Sequence, residues 1–203
     1  MEILPSKPFN LPFTYVKIRR LCLFVELRLH GRGGQGIVTA SEMLVEAATI
    51  DGYYGQSIPI FGAERRGAPV TASARVSDRP IRRHSQIYSP DIVAVFDPLF
   101  LFKGEVTAGL RDNGTIVVNH KSQPEISKYK VYVVDATRIA VENNLVVAGW
   151  AVVNTAMLGA IAKVLGFISQ GALEKVVRMR WSGDLCDRNL QAVIQAYAEV
   201  CMR

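Results

Sequence analysis

One stretch of this chain restricts its fold more than any other. Val25-Glu26-Leu27-Arg28-Leu29-His30 alternates apolar and polar residues, the period of a strand with one face in a core. It runs without a break into Gly31-Arg32-Gly33-Gly34-Gln35-Gly36. Ile37, Ala40, Leu44, Ala47 and Ala48 then recur at helical spacing until Asp51-Gly52 stops the pattern. A Gly-x-Gly-x-x-Gly loop between a strand and a helix is the context in which the backbone turns tightly and comes close to a phosphate. Free N–H groups at the helix start favour the phosphate's charge. Arg32 and Gln35 offer side-chain donors to the same anion.

The rest of the chain repeats the alternation of strand and helix. Tyr53 to Ile58 and Val70 to Val76 read as strands, and after the turn Asp78-Arg79-Pro80 a short return segment is expected at Ile81 to Ser85. Ile92-Val93-Ala94-Val95-Phe96 is continuously apolar, as a central parallel strand buried on both faces would be. The patterns predict a helix over Leu99 to Arg111, strands at Thr115 to Asn119 and Lys130 to Val134, and helices near 136–143, 148–166, 170–180 and 188–201. The expected fold class is α/β: a Rossmann-like, mostly parallel sheet flanked by helices, with a short antiparallel excursion and a helical C-terminal region. Residues 1–20 carry three prolines and little periodicity. They are read as an N-terminal extension, disordered or produced by a start placed too far upstream, with one α/β domain over 21–203.

Composition narrows the function classes. With 49% apolar and 21% charged residues, the chain is neither collagenous nor of low complexity. Cys22, Cys186 and Cys201 are too scattered for a disulfide framework, a zinc ribbon or a self-contained iron–sulfur site, so no metal ligands are expected and free thiols in a reducing cytoplasm are. The positive charge is concentrated. Residues 62–83 hold Arg65, Arg66, Arg75, Arg79, Arg82 and Arg83 against Glu64 and Asp78, and residues 1–36 are basic as well. That suits an anionic partner: a phosphorylated cofactor, nucleic acid or an acidic protein face. No helix-turn-helix, aromatic RNA-binding run or Cys/His finger supports nucleic acid. Arg19-Arg20 precedes an apolar run too short for a signal peptide. Leu145 to Ala162 is uncharged over eighteen residues but contains Gly149, Asn154, Thr155 and Gly159, so it reads as a buried helix and no membrane association is expected.

Two readings of the glycine loop compete with a phosphate-bearing ligand. The glycines serve close helix–strand packing alone, or the chain is a free-standing NAD-binding dehydrogenase or regulatory module. The second requires an acid at the end of the second strand to hold the ribose. Asp51 has the separation but lies where the helix ends. A second loop, Pro59 to Pro69, is stiffened by proline at both ends and brackets Glu64-Arg65-Arg66 with Gly62 and Gly67. Two guanidiniums on a stiff loop suit fork-like binding of carboxylate or phosphate, or an ion pair between subunits. His30, His84, His120, Ser57 and Thr39 show no nucleophile–base arrangement, so no catalytic residue is expected.

His30-Gly-Arg-Gly-Gly-Gln-Gly-Ile-Val-Thr39-Ala, followed by Phe61-Gly-Ala-Glu-Arg-Arg-Gly-Ala-Pro-Val70, resembles the gamma subunit of pyruvate and ketoisovalerate (2-oxoacid) ferredoxin oxidoreductases. The likeness continues through Ser85 to Asp91, Asp97-Pro98 and Asn154 to Ala160. It implies a chain of a hetero-oligomer that oxidatively decarboxylates a 2-oxoacid to acyl-coenzyme A and reduces ferredoxin. Thiamine diphosphate and [4Fe–4S] clusters would belong to partner alpha, beta and delta subunits. This gamma-type chain would supply subunit contacts and part of the coenzyme A site, through Gly31, Arg32, Gly33, Gly34, Gln35, Gly36, Glu64, Arg65, Arg66, Gly67 and Asn154. Ala63 stands where the family commonly has proline before the glutamate.

Overall fold

The computed structural model describes residues 22–60, 67–103, 105–122, 124, 126 and 128–202. The extension at 1–20 and the sequence Glu64-Arg65-Arg66 lie outside the described residues. The elements in order are β1 (Phe24–Arg32), α1 (Ile37–Ile50), β2 (Tyr54–Ile60), β3 (Pro69–Ser77), β4 (Ile92–Val95), a 3-10 turn (Pro98–Lys103), β5 (Thr115–Asn119), β6 (Lys130–Val134), α2 (Ala136–Glu142), β7 (Val146–Val147), β8 (Trp150–Ala151), α3 (Asn154–Leu165), α4 (Gln170–Arg180), α5 (Gly183–Glu199) and β9 (Cys201–Met202).

Seven strands form one sheet in the order β2-β3-β1-β4-β5-β6-β9, and β7 and β8 pair as a separate hairpin. β1, β4, β5 and β6 run parallel, and β3 is antiparallel to both β1 and β2. β2 therefore points the same way as β1 but is held one strand away from it. β9 adds an antiparallel edge to β6. The fold is the expected α/β sheet.

Alternation along β1 sends Leu27 and Leu29 to the helical side, where α1 to α5 bury them, with Ala72 and Ala74 of β3, in the larger core. Val93 and Val95 of β4 face the other way and pack with Ile116, Val118, Val131 and Val133 under Phe100, Val106 and Leu110. β4 is thus covered on both faces, as its unbroken apolar run requires. The outer face of β1 and β3 carries Glu26, Arg28, His30 and Arg32 beside Thr71, Ser73 and Arg75, so this half of the sheet is polar on one side.

Four expectations need correction. No helix spans 99–111: a 3-10 turn covers Pro98–Lys103, and Gly109 at φ 74° bends the chain so that Val106 and Leu110 lie on the sheet. A side chain on Gly109 would also meet the Tyr88 carbonyl at 2.1 Å. Residues 81–85 form no strand. The helix expected from 148 begins at Asn154, because Ala148 and Gly149 take φ of 48° and 80° and close the β7–β8 hairpin. The last helix starts at Gly183 and ends at Glu199, leaving Cys201–Met202 to the sheet edge. Among the described residues no helix is long and apolar enough to cross a membrane.

Candidate functional site

At the carboxyl edge of the sheet β1 leads into α1 on the helical side, while β4 leads into the 3-10 turn on the opposite side. The chain diverges between these two neighbours, and in open α/β sheets that crevice is where ligands bind. Gly31 and Arg32 are the last residues of β1, Gly33 to Gln35 form the turn, and Gly36 caps α1.

Two of the glycines are demanded by their surroundings. A Cβ on Gly31 would lie 2.7 Å from Gln35 Oε1 and 2.8 Å from Ile37 Cδ1. Gly36 has φ 73°, and its Cβ would meet Asn154 Nδ2 at 2.8 Å. Gln35 Oε1 accepts the Arg32 N–H at 2.8 Å, which closes the turn from inside. No side chain caps α1. The N–H groups of Gly34, Gly36, Ile37, Val38 and Thr39 make no hydrogen bond among the described residues. Such a row of open donors at the start of a fourteen-residue helix can cradle an anion.

The structure brings the second loop to this point. Gly33 N–H donates to Ala68 O at 2.9 Å, Gly67 N–H donates to Gly33 O at 3.1 Å, and Arg32 Nη1 donates to Gly67 O at 3.1 Å. The exit of the arginine loop is therefore stitched to the glycine loop. Arg32 is also ion-paired through Nε with Asp97, at the end of β4, and its guanidinium lies 5.1 Å from the centre of the Phe100 ring. Arg32 thus acts first as the clasp across the crevice.

Asn154 opens α3 against Gly36 and is 4% exposed. Its Oδ1 accepts the Thr155 N–H at 2.8 Å, and its Nδ2 has no acceptor among the described residues. Val153 caps α3 without a side-chain bond. The N-terminus of a second helix therefore meets that of α1 at Gly36.

His30, two residues before the loop, accepts the Arg28 Nε–H at 2.8 Å through Nε2 and lies 3.4 Å from Thr71 Oγ1 through Nδ1. Burial, reinforced by the charge of Arg28, lowers its pKa to about 4, so the ring is neutral at neutral pH. Burial lowers the pKa of Arg28 too.

A feature that sequence reasoning missed lies further along the same edge. A cleft of about 420 Å³ is lined by Pro98, Asn119, His120, Lys121, Asp135 and Thr137, among others. Asn119 ties it together: Nδ2 donates to Phe96 O at 2.8 Å and to Thr137 Oγ1 at 2.9 Å, and Oδ1 accepts the Thr137 N–H at 3.1 Å. The available signal was a polar residue closing each parallel strand in turn, at Asp97, Asn119 and Asp135.

Asp51 is far from the loop. Fourteen helical residues, about 21 Å at 1.5 Å each, separate it from Gly36. Both carboxylate oxygens are occupied, one by the Ser169 N–H at 2.6 Å and one by the Ser169 hydroxyl at 2.8 Å. Because β3 lies between β1 and β2, the strand that would carry a ribose acid is also displaced from β1. The NAD-binding alternative has no acid where it needs one. Among the described residues, no group of three or more His, Cys, Asp or Glu side chains could hold a metal ion.

Residues 26–199 match the family described as pyruvate ferredoxin/flavodoxin oxidoreductase. The chain is 46% identical over 180 residues to the pyruvate/ketoisovalerate oxidoreductases common subunit gamma of Pyrococcus furiosus, covering 85% of this chain and 95% of that protein. It is 44% identical over 176 residues to pyruvate synthase subunit PorC of Methanothermobacter thermautotrophicus, covering 87% and 96%. The crystal structure of the pyruvate oxidoreductase subunit PORC of Thermotoga maritima superposes with a TM-score of 0.75 at 35% identity, over 88% of this chain and 98% of that one. The fold, at 18% identity, also matches 30% of a chain of the 2-oxoglutarate:ferredoxin oxidoreductase of Magnetococcus marinus, with a TM-score of 0.72 over 86% of this chain. The chain belongs to the pyruvate ferredoxin/flavodoxin oxidoreductase family and is a subunit of the gamma type.

Proposed function

We propose that this chain is the gamma subunit of a cytoplasmic 2-oxoacid:ferredoxin oxidoreductase of the pyruvate synthase kind, and that its carboxyl edge holds a phosphate-bearing part of coenzyme A. The enzyme decarboxylates a 2-oxoacid, transfers the acyl group to coenzyme A and delivers the electrons to ferredoxin. Thiamine diphosphate and [4Fe–4S] clusters supply that chemistry from the alpha, beta and delta subunits. In this chain three dispersed cysteines, Cys22 exposed, Cys186 buried and Cys201 half-buried, do not fit a cluster.

One observation carries the ligand reading. The N–H groups of Gly34, Gly36, Ile37, Val38 and Thr39, open among the described residues, lie next to Gly33, which is bonded directly to Gly67 and Ala68, the residues that follow Arg65 and Arg66 in the sequence. Backbone donors, helix starts and guanidiniums are the recurring means of holding phosphate, and coenzyme A is a multiply charged phosphate ester. Asn154 Nδ2 adds one further donor with no acceptor among the described residues. The residues of this chain bind and orient; none is assigned a bond-making step.

The test is the assembled enzyme with Arg65→Ala and Arg66→Ala in this chain. Losing charge-assisted hydrogen bonds of roughly 1.5–3 kcal/mol each raises the KM for coenzyme A by about tenfold or more, with the KM for the 2-oxoacid unchanged. An intact complex with an unaltered KM for coenzyme A refutes the ligand role. Failure to assemble shows instead that the loop is an inter-subunit contact.

A further inference from the structure

Of the six arginines between residues 62 and 83, Arg65 and Arg66 lie outside the described residues. The others lie at or near the amino edge of the sheet, where β3 ends at Ser77 and the chain turns back over the polar face. There Arg75 is wholly buried and Glu26 nearly so, with their Nε–Oε1 pair at 2.8 Å. The Arg75 guanidinium donates to the carbonyls of Ser85 at 2.7 Å, Arg83 at 3.3 Å and Gln86 at 3.4 Å. Arg111 meets the other Glu26 oxygen at 3.2 Å, pairs with Asp91 at 2.7 Å and donates to Ser89 O at 3.0 Å. One buried carboxylate thus orients two arginines, and these two grip the chain from Arg83 to Ser89 at four carbonyls.

A buried Arg75–Glu26 pair, with the partly exposed Arg111 on the other carboxylate oxygen, is a poor source of stability, because desolvation offsets the attraction. What it achieves here is a fixed shape for a segment that forms no strand. Ile87, 5% exposed, is the segment's apolar foot, while Arg79, Arg82, Arg83, His84 and Tyr88 stand in solvent. Tyr88 is 73% exposed. Arg79 and Arg82 make no ion pair among the described residues, and Arg83 reaches Glu26 at 3.8 Å, the edge of ion-pair range.

We propose that this loop, Arg79 to Ser89, is a docking surface for a carboxylate-rich face of another subunit of the same oxidoreductase. Exposed arginine and tyrosine on a rigid support are the side chains that most often anchor protein interfaces, because little entropy is lost when they are covered. The guanidiniums of Arg79 and Arg82, without an ion pair among the described residues, make the surface selective for negative charge and speed the encounter. The loop lies at the opposite end of the sheet from Gly36, so docking here leaves the carboxyl edge open. The inference rests on the chain being one subunit of several. It does not rest on the coenzyme A reading, and either can fail alone.

The test is the oxidoreductase expressed with Arg79→Glu and Arg82→Glu in this chain, its dissociation followed by sedimentation over a range of salt. The wild-type complex is expected to loosen as salt rises. The variant is expected to dissociate at about tenfold or more higher protein concentration in low salt, and with a flatter salt dependence. A matched Arg79→Gln, Arg82→Gln chain with an unchanged melting temperature is expected to fall between the two, which separates lost charge from misfolding. A variant complex as tight as wild type at every salt concentration overturns the proposal. So does an unaltered complex whose variant chain has instead lost affinity for a DNA or RNA duplex, since that assigns the loop to a polyanion.

Discussion

The two edges of this sheet use arginine in opposite ways. At the carboxyl edge the backbone does most of the work: among the described residues five N–H groups around the start of α1 are left open, and Arg32 is tied down by Asp97 and Gly67. At the amino edge the side chains are committed internally: Arg75 and Arg111 are bonded to Glu26 and to loop carbonyls, and the guanidiniums without an ion pair among the described residues are those of Arg79 and Arg82. A site of fixed N–H dipoles fits a small anion at close range. A rigid loop of mobile cations fits a broad acidic face. A count of positive charge in the sequence cannot separate these uses, because a buried arginine and an exposed one contribute the same unit.

The comparison is most easily broken at Arg75. Arg75→Met leaves Glu26 buried with one partner fewer and deprives three carbonyls of their donor, so a loss of roughly 3–5 kcal/mol is expected in denaturant unfolding. A loss below about 1 kcal/mol would mean that the network is not what holds the loop. His30 gives the next largest effect. Its folded pKa of about 4 is below the ordinary value near 6.5, so between these two values the unfolded chain binds the extra proton. The stabilisation is complete above pH 6.5, falls as pH drops toward 4 and is absent below it, for a total of at most about 3 kcal/mol. Unfolding curves at pH 7 and pH 4.5 should show this slope, and His30→Gln should flatten it.

Gly36→Ala attacks the carboxyl edge alone. The left-handed backbone costs roughly 1–2 kcal/mol with a Cβ, and the new methyl group also pushes on Asn154. The KM for coenzyme A should rise several-fold while the salt-dependent assembly is unchanged. Asp51→Ala should have the smallest effect. It removes two hydrogen bonds to Ser169 on the exposed junction of α1 and α4, worth about 1 kcal/mol, and leaves coenzyme A kinetics untouched. A dinucleotide site built on Asp51 would predict abolished nucleotide binding instead.

Much of this architecture was legible in the chain. The alternation of β1, the apolar run of β4 and the Gly31 to Gly36 loop produced the parallel core of the sheet and the start of α1, because local periodicity there agrees with tertiary burial. The failures share a cause. The run from Leu145 to Ala162 carries no charge, so its period does not reveal that Ala148 and Gly149 adopt positive φ and form a hairpin. From Leu99 to Arg111 the segment lies on the sheet through Phe100, Val106 and Leu110, which sets burial by tertiary contact and not by helical spacing. In the site, the glycines were evident but the clasp was not. Arg32 and Asp97 are 65 residues apart, and only the β1–β4 pairing brings them together.

The most direct measurement is hydrogen–deuterium exchange on the assembled oxidoreductase with and without coenzyme A, compared with the isolated chain. The amides of Gly34 and of Gly36 to Thr39, open among the described residues, should exchange fast until coenzyme A is added, then slow markedly, while residues 79–89 slow on assembly and ignore the ligand. Amides 34 and 36–39 that exchange equally fast with saturating coenzyme A would contradict the assignment of the carboxyl edge as its phosphate cradle.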